Sequence, residues 1–479
     1  MTTAFSMPGA PTICRVARVQ LNAGLEMWAR IEPRLSRARE YLRAPVEPAS
    51  LAAFRALFGV VMGVAALRFL AKGWVRELLV EPSFHFTYPA FEFVRPWSLF
   101  GMELHQLALA LLAFAVAVGF HTRLAAAAYF VGFTYVELID QALYLNHYYL
   151  VSLLAALIAA LPFGRFYSVD AWRQPGRRLG EVPRWVLLVV RLQVGVVYFY
   201  AGVAKLNQDW LFEAAPLRLW LPARSDLPLV GWLLEYPTTA YVASWVGALF
   251  DLSIVFLLSW RRTRAVAFAL VVAFHSMTGI LFPIGIFPWV MTCAATLFFA
   301  PDWPLRLVGR QTVWESPNVR PPGHAAANAP SERYSAPGAF GWLIALHCAL
   351  QVALPLRQFF ERQPSAWTLD GFNFAWNVML VEKSGHVTFR ARDRLSGRIE
   401  EVEPKTFLRR FQEIAMAQDP ALVRQAALEV AKQMRARGRE VAVYADAIAS
   451  LNGRPAQALV DPNVDLTGEL PSSWIVPLR

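Results

Sequence analysis

Nine apolar stretches recur along the first three quarters of the chain, each near the length of about 20 residues that crosses a bilayer as a helix, and they leave few folds open. Their approximate bounds are 51–70, 104–120, 124–140, 148–163, 184–204, 241–259, 265–281, 285–300 and 338–355. Several need tilted or partly interfacial ends, so eight is the fallback count. Of the 479 residues 56% are hydrophobic and only 17% are charged. Soluble domains average about 25% charged residues, so much of this surface requires an apolar solvent. Disorder, collagen-like repeats and a coiled coil are excluded. Cys14, Cys293 and Cys348 form no CxxC pair and have no histidine at ligand spacing. We therefore expect no metal centre and no disulfide framework.

The net charge of +11 would suit nucleic acid or basic cytoplasmic loops, and the placement of the charges decides. With the N-terminus set in the cytoplasm, the inner loops hold twenty Lys and Arg residues and the outer loops six: Lys72, Arg76, Arg95, Lys205, Arg218 and Arg224. The basic residues follow membrane sidedness, so no nucleic-acid partner is expected. Residues 1–50 lack the apolar core of a signal peptide. They read as an arginine-rich cytoplasmic helix, lying along anionic headgroups or simply solvated. Residues 356–479 carry 17 basic and 15 acidic side chains, the composition of a soluble domain. In it HVTFRARDRLSGRIEEVEP reads as two strands around a Ser-Gly turn, and the following segment as two helices broken near Asp419-Pro420. The expected fold is mainly α: a polytopic membrane helical bundle of about nine transmembrane helices with a small C-terminal α+β extracytoplasmic domain. Its divisions are 1–50, 51–355 and 356–479. No GxGxxG, P-loop, GxSxG or HExxH motif is present.

Polar residues at membrane depth must be paired, solvated or useful. YLNHYYL places Asn146 and His147 at the outer interface, beside Tyr144, Tyr148 and Tyr149. An aromatic belt with a satisfied histidine is the plainer account of that pattern. VVYFYAGVAKLNQDWL sets Tyr198 two helical turns before Lys205, on one face. A lysine at a helix end ordinarily snorkels to water, but closure of helices over it would favour the neutral amine, available as a base. His275, in FHSMTGILF, reads on its own as a buried histidine bonded to a neighbouring helix. The charge count, however, puts Asn146, His147, Lys205, His275 and the C-terminal domain on one side. Glu137, Asp140, Arg191 and Asp251 are expected to pair within the bundle, Arg191 with an acidic partner.

At these residues the sequence resembles the vitamin K-dependent γ-glutamyl carboxylase family and the related bacterial HTTM (horizontally transferred transmembrane) proteins. The likeness runs collinearly through LAAFRALFGVVMG, PSFHFTYPAFEFV, YLNHYYLVSLL, RLQVGVVYFYAGVAKLNQDWL, SWVGALFDLSIVFLLSWRRTR, FHSMTGILFPIGIFPWVM, WTLDGFNFAWNVML and YADAIASLNGRPAQALVDPNVDL. The resemblance implies a membrane enzyme that couples oxygenation of reduced vitamin K, as phylloquinol or menaquinol, to carboxylation of a protein or peptide glutamate, with O2 and CO2 as co-substrates. Lys205 matches the family's base. His147 with Asn146 matches its Asn-His, which would meet the quinone oxygens. Tyr198 matches the tyrosine before the base and would orient substrate, and His275 matches a family histidine on the quinone side. Glutamate binding would involve SAWTLDGFNFAWNVML, through Trp367, Thr368 and Trp376; the alternative for the tryptophans is an interfacial anchor. Asn452 and Arg454 are expected to be structural.

Further expectations follow from the same resemblance. A quinone-reducing system would be a partner, along with membrane lipid; the oligomeric state is open. The N-terminus would lie in the cytoplasm and the C-terminal domain outside it, in a bacterial inner membrane or, in a eukaryote, the endoplasmic reticulum. The Ala- and Arg-rich composition looks bacterial. Animal members have a longer lumenal portion and a disulfide joining it to the membrane part, so propeptide-guided modification is not expected here. The competing readings are an HTTM membrane protein that oxidises quinol without carboxylating, and a non-catalytic binding or transport module. Transport would predict inverted repeats and broken helices, which the sequence does not display.

Overall fold

In hydrocarbon every backbone N–H and C=O must be satisfied within its own segment, so apolar stretches of this length can only be helices. The computed structural model describes residues 32–309 and 338–479, and all nine stretches are helical in it. They are α1 (Ala49–Ala71), α2 (Leu99–Val118), α3 (Thr122–Ile139), α4 (Asn146–Ala160), α5 (Arg184–Ala204), α6 (Pro237–Ser259), α7 (Arg264–Leu281), α8 (Phe287–Ala295) and α9 (Gly338–Ala353). The expectations for residues 1–31 and 310–337 lie outside the described residues. Helix ends follow local chemistry. Ser98 accepts the Gly101 amide at the start of α2, and Gly119 ends that helix in the left-handed conformation.

The expected count of nine crossings is not reached. Among the described residues six helices are long and apolar enough to cross a membrane: α1, α2, α5, α6, α7 and α9 with its extension to Phe360. Asn146–Ala160 and Phe287–Phe298 are apolar but shorter. At about 1.5 Å per residue, the 15 residues of α4 fall short of a hydrocarbon core about 30 Å thick. Helix α3, with Arg123 and Glu137, is not among the six.

Successive helices run between two ends of the bundle. At one end Arg55 donates to the carbonyls of Phe163 and Tyr167, both at 2.7 Å, and Pro45–Val46 pairs antiparallel with Val182–Pro183. At the other end the C-terminal domain is docked. Small residues set the closest approaches: any side chain at Gly59 of α1 would strike the Ala113 carbonyl and Ala117 amide of α2.

The C-terminal domain is an antiparallel sheet in the order β2-β1-β3-β4, with β1 (Lys383–Asp393), β2 (Ile399–Val402), β3 (Val441–Leu451) and β4 (Gln457–Ala458). Helices α10 (Arg410–Met416) and α11 (Pro420–Ala436) lie between β2 and β3 in the chain. Leu422, Val423, Ala426, Ala427, Val430 and Met434 recur at helical spacing on α11 and are buried in one core with Phe389 and Val443 of the sheet. The two strands around Ser396-Gly397 and the helix break at Asp419-Pro420 are as expected; β3 and β4 are additional. Asp209, on the short helical turn Gln208–Leu211, anchors this domain: Arg454 donates to both its oxygens, at 2.6 and 2.7 Å, and Asn452 donates at 2.7 Å. Asn452 and Arg454 are thus structural, as expected. Gln412 of α10 reaches the Asp140 carboxylate at 2.7 Å, and Trp220 donates to Glu382 at 2.5 Å.

Trp367 and Thr368 belong to this packing. Trp367 is fully buried among the domain's core residues, and its indole donates to the Val476 carbonyl at 2.7 Å. Thr368 accepts the Asp370 amide at 3.2 Å. The Lys383 ammonium donates to the Trp367 and Gln418 carbonyls and lies over the Trp367 ring. Burial pushes the pKa of Lys383 down to about 8. Unfolded, this lysine keeps its proton to its ordinary value of 10.5. Between those values the unfolded chain binds more protons, so stability rises with pH. From pH 7 to pH 9 the domain should gain about 1.4 kcal/mol, the worth of a tenfold change in proton activity for one proton, read as a higher urea midpoint in pulse proteolysis of the full chain.

Candidate functional site

Helix α5 ends at Lys205, where the chain turns toward the docked domain. Lys205 does not snorkel to water. It is 5% exposed, and its ammonium donates to Asp251 of α6 at 2.9 Å, to the Ala201 carbonyl at 3.2 Å and to the Val378 carbonyl at 3.3 Å. The Trp210 ring lies 5.0 Å away. Asp251 is 5% exposed, so the two opposite charges are removed from water together. Closure over Lys205, the alternative to snorkelling, is what the structure has, but the amine is paired and not alone. The helices can bring these groups together because Gly202, one turn before the lysine, has no side chain: a Cβ there would sit 2.7 Å from the Leu252 amide nitrogen.

Tyr198 lies on the same face of α5, and its hydroxyl is 2.8 Å from Nε2 of His275 on α7. The other ring nitrogen of His275, Nδ1, is buried without a partner among the described residues. Tyr198, Lys205, Asp251 and His275 line one apolar cavity of about 90 Å³. Asn146 and His147 line a second, larger cavity of about 590 Å³. Ile284, Phe287, Val378 and Met379 line both and form the partition. The Phe287 ring stands between the two histidines, 5.9 Å from His147 and 5.7 Å from His275. The expected cluster is therefore two adjoining chambers, with His147 in one and Lys205 in the other.

Val378 and Met379 of this partition belong to the segment 369–379, which folds over the chambers in an unusual way. Leu369, Phe374, Trp376 and Met379 all adopt left-handed backbone angles, with φ between 50° and 62°, alongside Gly371. Each such non-glycine residue costs of order 1 kcal/mol or more, a strain that persists only where the surroundings fix it. Here they do. Asn146 donates to the Asn377 carbonyl at 3.1 Å, the Phe374 amide donates to Tyr144 at 2.8 Å, Arg357 donates to Asn373, and Val378 receives Lys205. Trp376 is fully buried and stacks on Tyr149 of α4 at 5.1 Å, with its indole nitrogen unpartnered among the described residues. Trp376 thus packs against α4 of the bundle and, like Trp367 and Thr368, lines neither chamber.

Three expectations about intramembrane charge change. Arg191 has no acidic partner among the described residues; it donates to the carbonyls of Leu297 at 2.8 Å and Phe299 at 3.0 Å, where α8 runs out and its last carbonyls lack helical donors. Asp140 is bonded to Gln412 and the Ala142 amide in place of a cation. Glu137 forms no hydrogen bond or ion pair among the described residues and lines the larger chamber. Of the four, Asp251 alone pairs, and its partner is the candidate base. Sequence reading set Asp251 aside as structural; an acid on an otherwise apolar helix, with a lysine at the outer end of another, was the available signal.

A membrane bundle that seals a lysine–carboxylate pair beneath a strained roof, beside an apolar chamber, defines a multi-pass membrane protein with a lipid-depth polar site. Its family is identified by two matches. Residues 43–303 match the HTTM domain, and residues 338–479 match the lumenal domain of vitamin K-dependent gamma-carboxylase. The chain belongs to this HTTM and vitamin K-dependent carboxylase family. No solved structure matches it.

Proposed function

We propose that the protein is a vitamin K-dependent γ-glutamyl carboxylase-like enzyme, acting on protein or peptide glutamate with phylloquinol or menaquinol, O2 and CO2. The reading rests on one observation above the others: Lys205 is held dry against Asp251, at 2.9 Å, on the wall of the smaller chamber, which shares Ile284, Phe287, Val378 and Met379 with the larger one. The residues fit a naphthoquinone. The larger chamber, about 590 Å³, falls within the range of about 300–1,000 Å³ usual for small-molecule sites and is lined mainly by apolar groups. The buried Nδ1 of His275, on the wall of the adjoining smaller chamber, is unpartnered among the described residues. When bound, a reduced naphthoquinone supplies, through its oxidation by O2 to the epoxide, the base that removes the γ-proton of glutamate before CO2 adds.

The chain's own task is to start that sequence and keep water out. Lys205 takes the first proton. Asp251 gives the pair's own proton a second seat: as Lys⁺/Asp⁻ the amine is occupied, whereas with that proton on Asp251 the amine is free to take another from the substrate. Tyr198 and His275 hold each other and fix one wall. His147 and Asn146 line the larger chamber, and Val378 and Met379 help close it against the smaller one. The docked domain lies outside the cytoplasm and the N-terminus within it, in agreement with the basic-residue distribution. A quinone-reducing system of the same membrane would return the cofactor.

The test is incorporation of labelled CO2 into a Glu-containing peptide by the purified protein in detergent, given reduced vitamin K and O2. Label in the peptide together with epoxide is the expected result. Epoxide without label would reduce the activity to quinol oxidation, and the absence of both would remove the enzymatic reading.

A further inference from the structure

At the end of the bundle opposite the docked domain, the start of α3 and the chain leaving α4 enclose a hollow of about 600 Å³ that the proposed reaction does not use. Among the described residues, Arg123, Arg165 and Arg177 line it against a single acid, Asp170. That acid is already engaged. Its oxygens accept the His121 and Thr122 amides, both at 2.7 Å, and the Thr122 hydroxyl at 2.8 Å, so its charge caps the start of α3, and it forms no ion pair with the arginines among the described residues. Arg123 is oriented by neutral partners: Nε donates to the Ala159 carbonyl at 3.0 Å and Nη2 to the Ala160 carbonyl at 3.1 Å, in the last turn of α4, where helical donors run out. The carbonyls fix the guanidinium without cancelling its charge. Arg165 donates to the Arg177 carbonyl at 2.9 Å and ties down the loop that carries it. The Arg177 side chain is exposed and has neither ion pair nor hydrogen bond among the described residues. Cations gathered around one hollow attract an anion. The rim says which kind: Leu124, which lines the hollow, is 70% exposed, and Trp172, next in the chain to the lining residue Ala171, is 80% exposed. An exposed indole belongs at the level of the lipid headgroups, which places the hollow at the membrane surface.

We infer that this hollow binds the phosphodiester of an anionic phospholipid of the inner leaflet, with Arg123 and Arg177 meeting the phosphate oxygens and an acyl chain lying along Leu124. Arginine suits the task, because its planar fork of N–H donors matches the oxygens of a phosphate. Basic pockets between membrane helices on the cytoplasmic side are where anionic headgroups are held, and the distribution of basic residues assigns this end to the cytoplasm. A zwitterionic headgroup carries its own cation into the ring of arginines, so most of the attraction cancels. The hollow therefore selects lipids by net charge. The inference stands apart from the carboxylase reading, since the residues concerned line neither chamber.

The experiment follows thermal unfolding of the full-length protein in dodecyl maltoside, titrated with phosphatidylglycerol, with phosphatidylcholine of the same acyl chains, or with inorganic phosphate. Phosphatidylglycerol should raise the midpoint and saturate, because a ligand of the folded state stabilises it by mass action, whereas phosphatidylcholine at the same mole fraction and inorganic phosphate should leave it near the lipid-free value. Arg177→Glu, whose native side chain bonds to no described residue, should fold as wild type and weaken the apparent affinity for phosphatidylglycerol by roughly ten-fold or more, the effect of reversing one charge at a lipid surface. Arg262→Glu is the control: it makes the same change in net charge at an exposed arginine between α6 and α7, at the same end of the bundle but outside the hollow, and should leave the affinity unchanged. An affinity that survives R177E would overturn the inference, as would equal stabilisation by phosphatidylcholine. Equal losses in R177E and R262E would overturn it too, by reducing the effect to the general charge of that surface. Stabilisation by inorganic phosphate to the same extent would give the hollow to a soluble anion and overturn the lipid assignment.

Discussion

Lys205→Met is expected to abolish CO2 incorporation and epoxide formation together, and also to destabilise the protein by about 3–5 kcal/mol, because Asp251 is left as a buried carboxylate without its cation. The second effect comes from the pairing at 2.9 Å and would not follow from a lone lysine. It makes the single variant ambiguous, since a poorly folded membrane protein is also inactive. The double variant Lys205→Met, Asp251→Leu resolves this. Replacing a buried ion pair by apolar groups is often neutral for stability, so the double variant should recover most of the thermal midpoint while remaining inactive. Asp251→Asn alone should keep the fold better than Lys205→Met, because an amide still accepts a hydrogen bond from the ammonium, yet it should lose most turnover because the proton has no second seat. Recovery of activity in the double variant would remove Lys205 from the mechanism.

Gly202→Val is expected to be nearly as damaging, although the residue touches no substrate. A Cβ at this position would meet the Leu252 amide at 2.7 Å, the Leu252 side chain at 2.8 Å and the Asp251 carbonyl carbon at 3.0 Å. Two of those neighbours are helix backbone and cannot rotate aside, so α5 and α6 must separate. Overpacking of this kind costs typically about 1–3 kcal/mol. The functional loss should be larger, on the order of 100-fold in turnover, because misplacement by about 1 Å is enough to disable an oriented proton transfer. Gly247→Ala, on the same α6, is the control. Its Cβ would lie 3.6 Å from Trp210, an ordinary contact, and the variant should retain both stability and turnover. Equal losses at Gly202 and Gly247 would show that helix propensity, and not the α5–α6 approach, governs the result. Both variants are read by thermal unfolding in detergent and by labelled CO2 uptake.

The helices were legible because an apolar run of bilayer length has one way to satisfy its backbone, and the small sheet domain because strand alternation and a Ser-Gly turn are local signals. How many helices traverse the membrane was less legible: hydropathy counts apolar residues but does not say when a neighbouring helix, and not lipid, covers a short one such as α4. Lys205, Tyr198 and His275 were found as residues sharing a side, and the structure brings them to one wall. His147 was placed with them, but the Phe287 ring separates the chambers, and an aromatic partition leaves no mark in spacing. The pairing of Asp251 with Lys205 depends on the rotation of α6 about its axis, which an almost uniformly apolar helix does not encode. The roof was the least readable. Leu369, Phe374, Trp376 and Met379 carry no preference for left-handed backbone, so their conformation is imposed by Asn146, Tyr144, Arg357 and Tyr149, residues distant in sequence. Trp367, by contrast, looked like a binding residue and is core.

The segment 369–379 lies within the part of the chain matched to the lumenal domain, yet it closes chambers whose walls belong to the part matched to HTTM. The two halves therefore do not divide labour into a reactor and an accessory. In a lineage that exchanged one C-terminal half for another, the ceiling over the reaction would be inherited from the donor along with the new outer surface. Changes of polypeptide clientele and changes in chamber shape would then arrive as one genetic event, and a membrane half acquired by itself would be an open vessel.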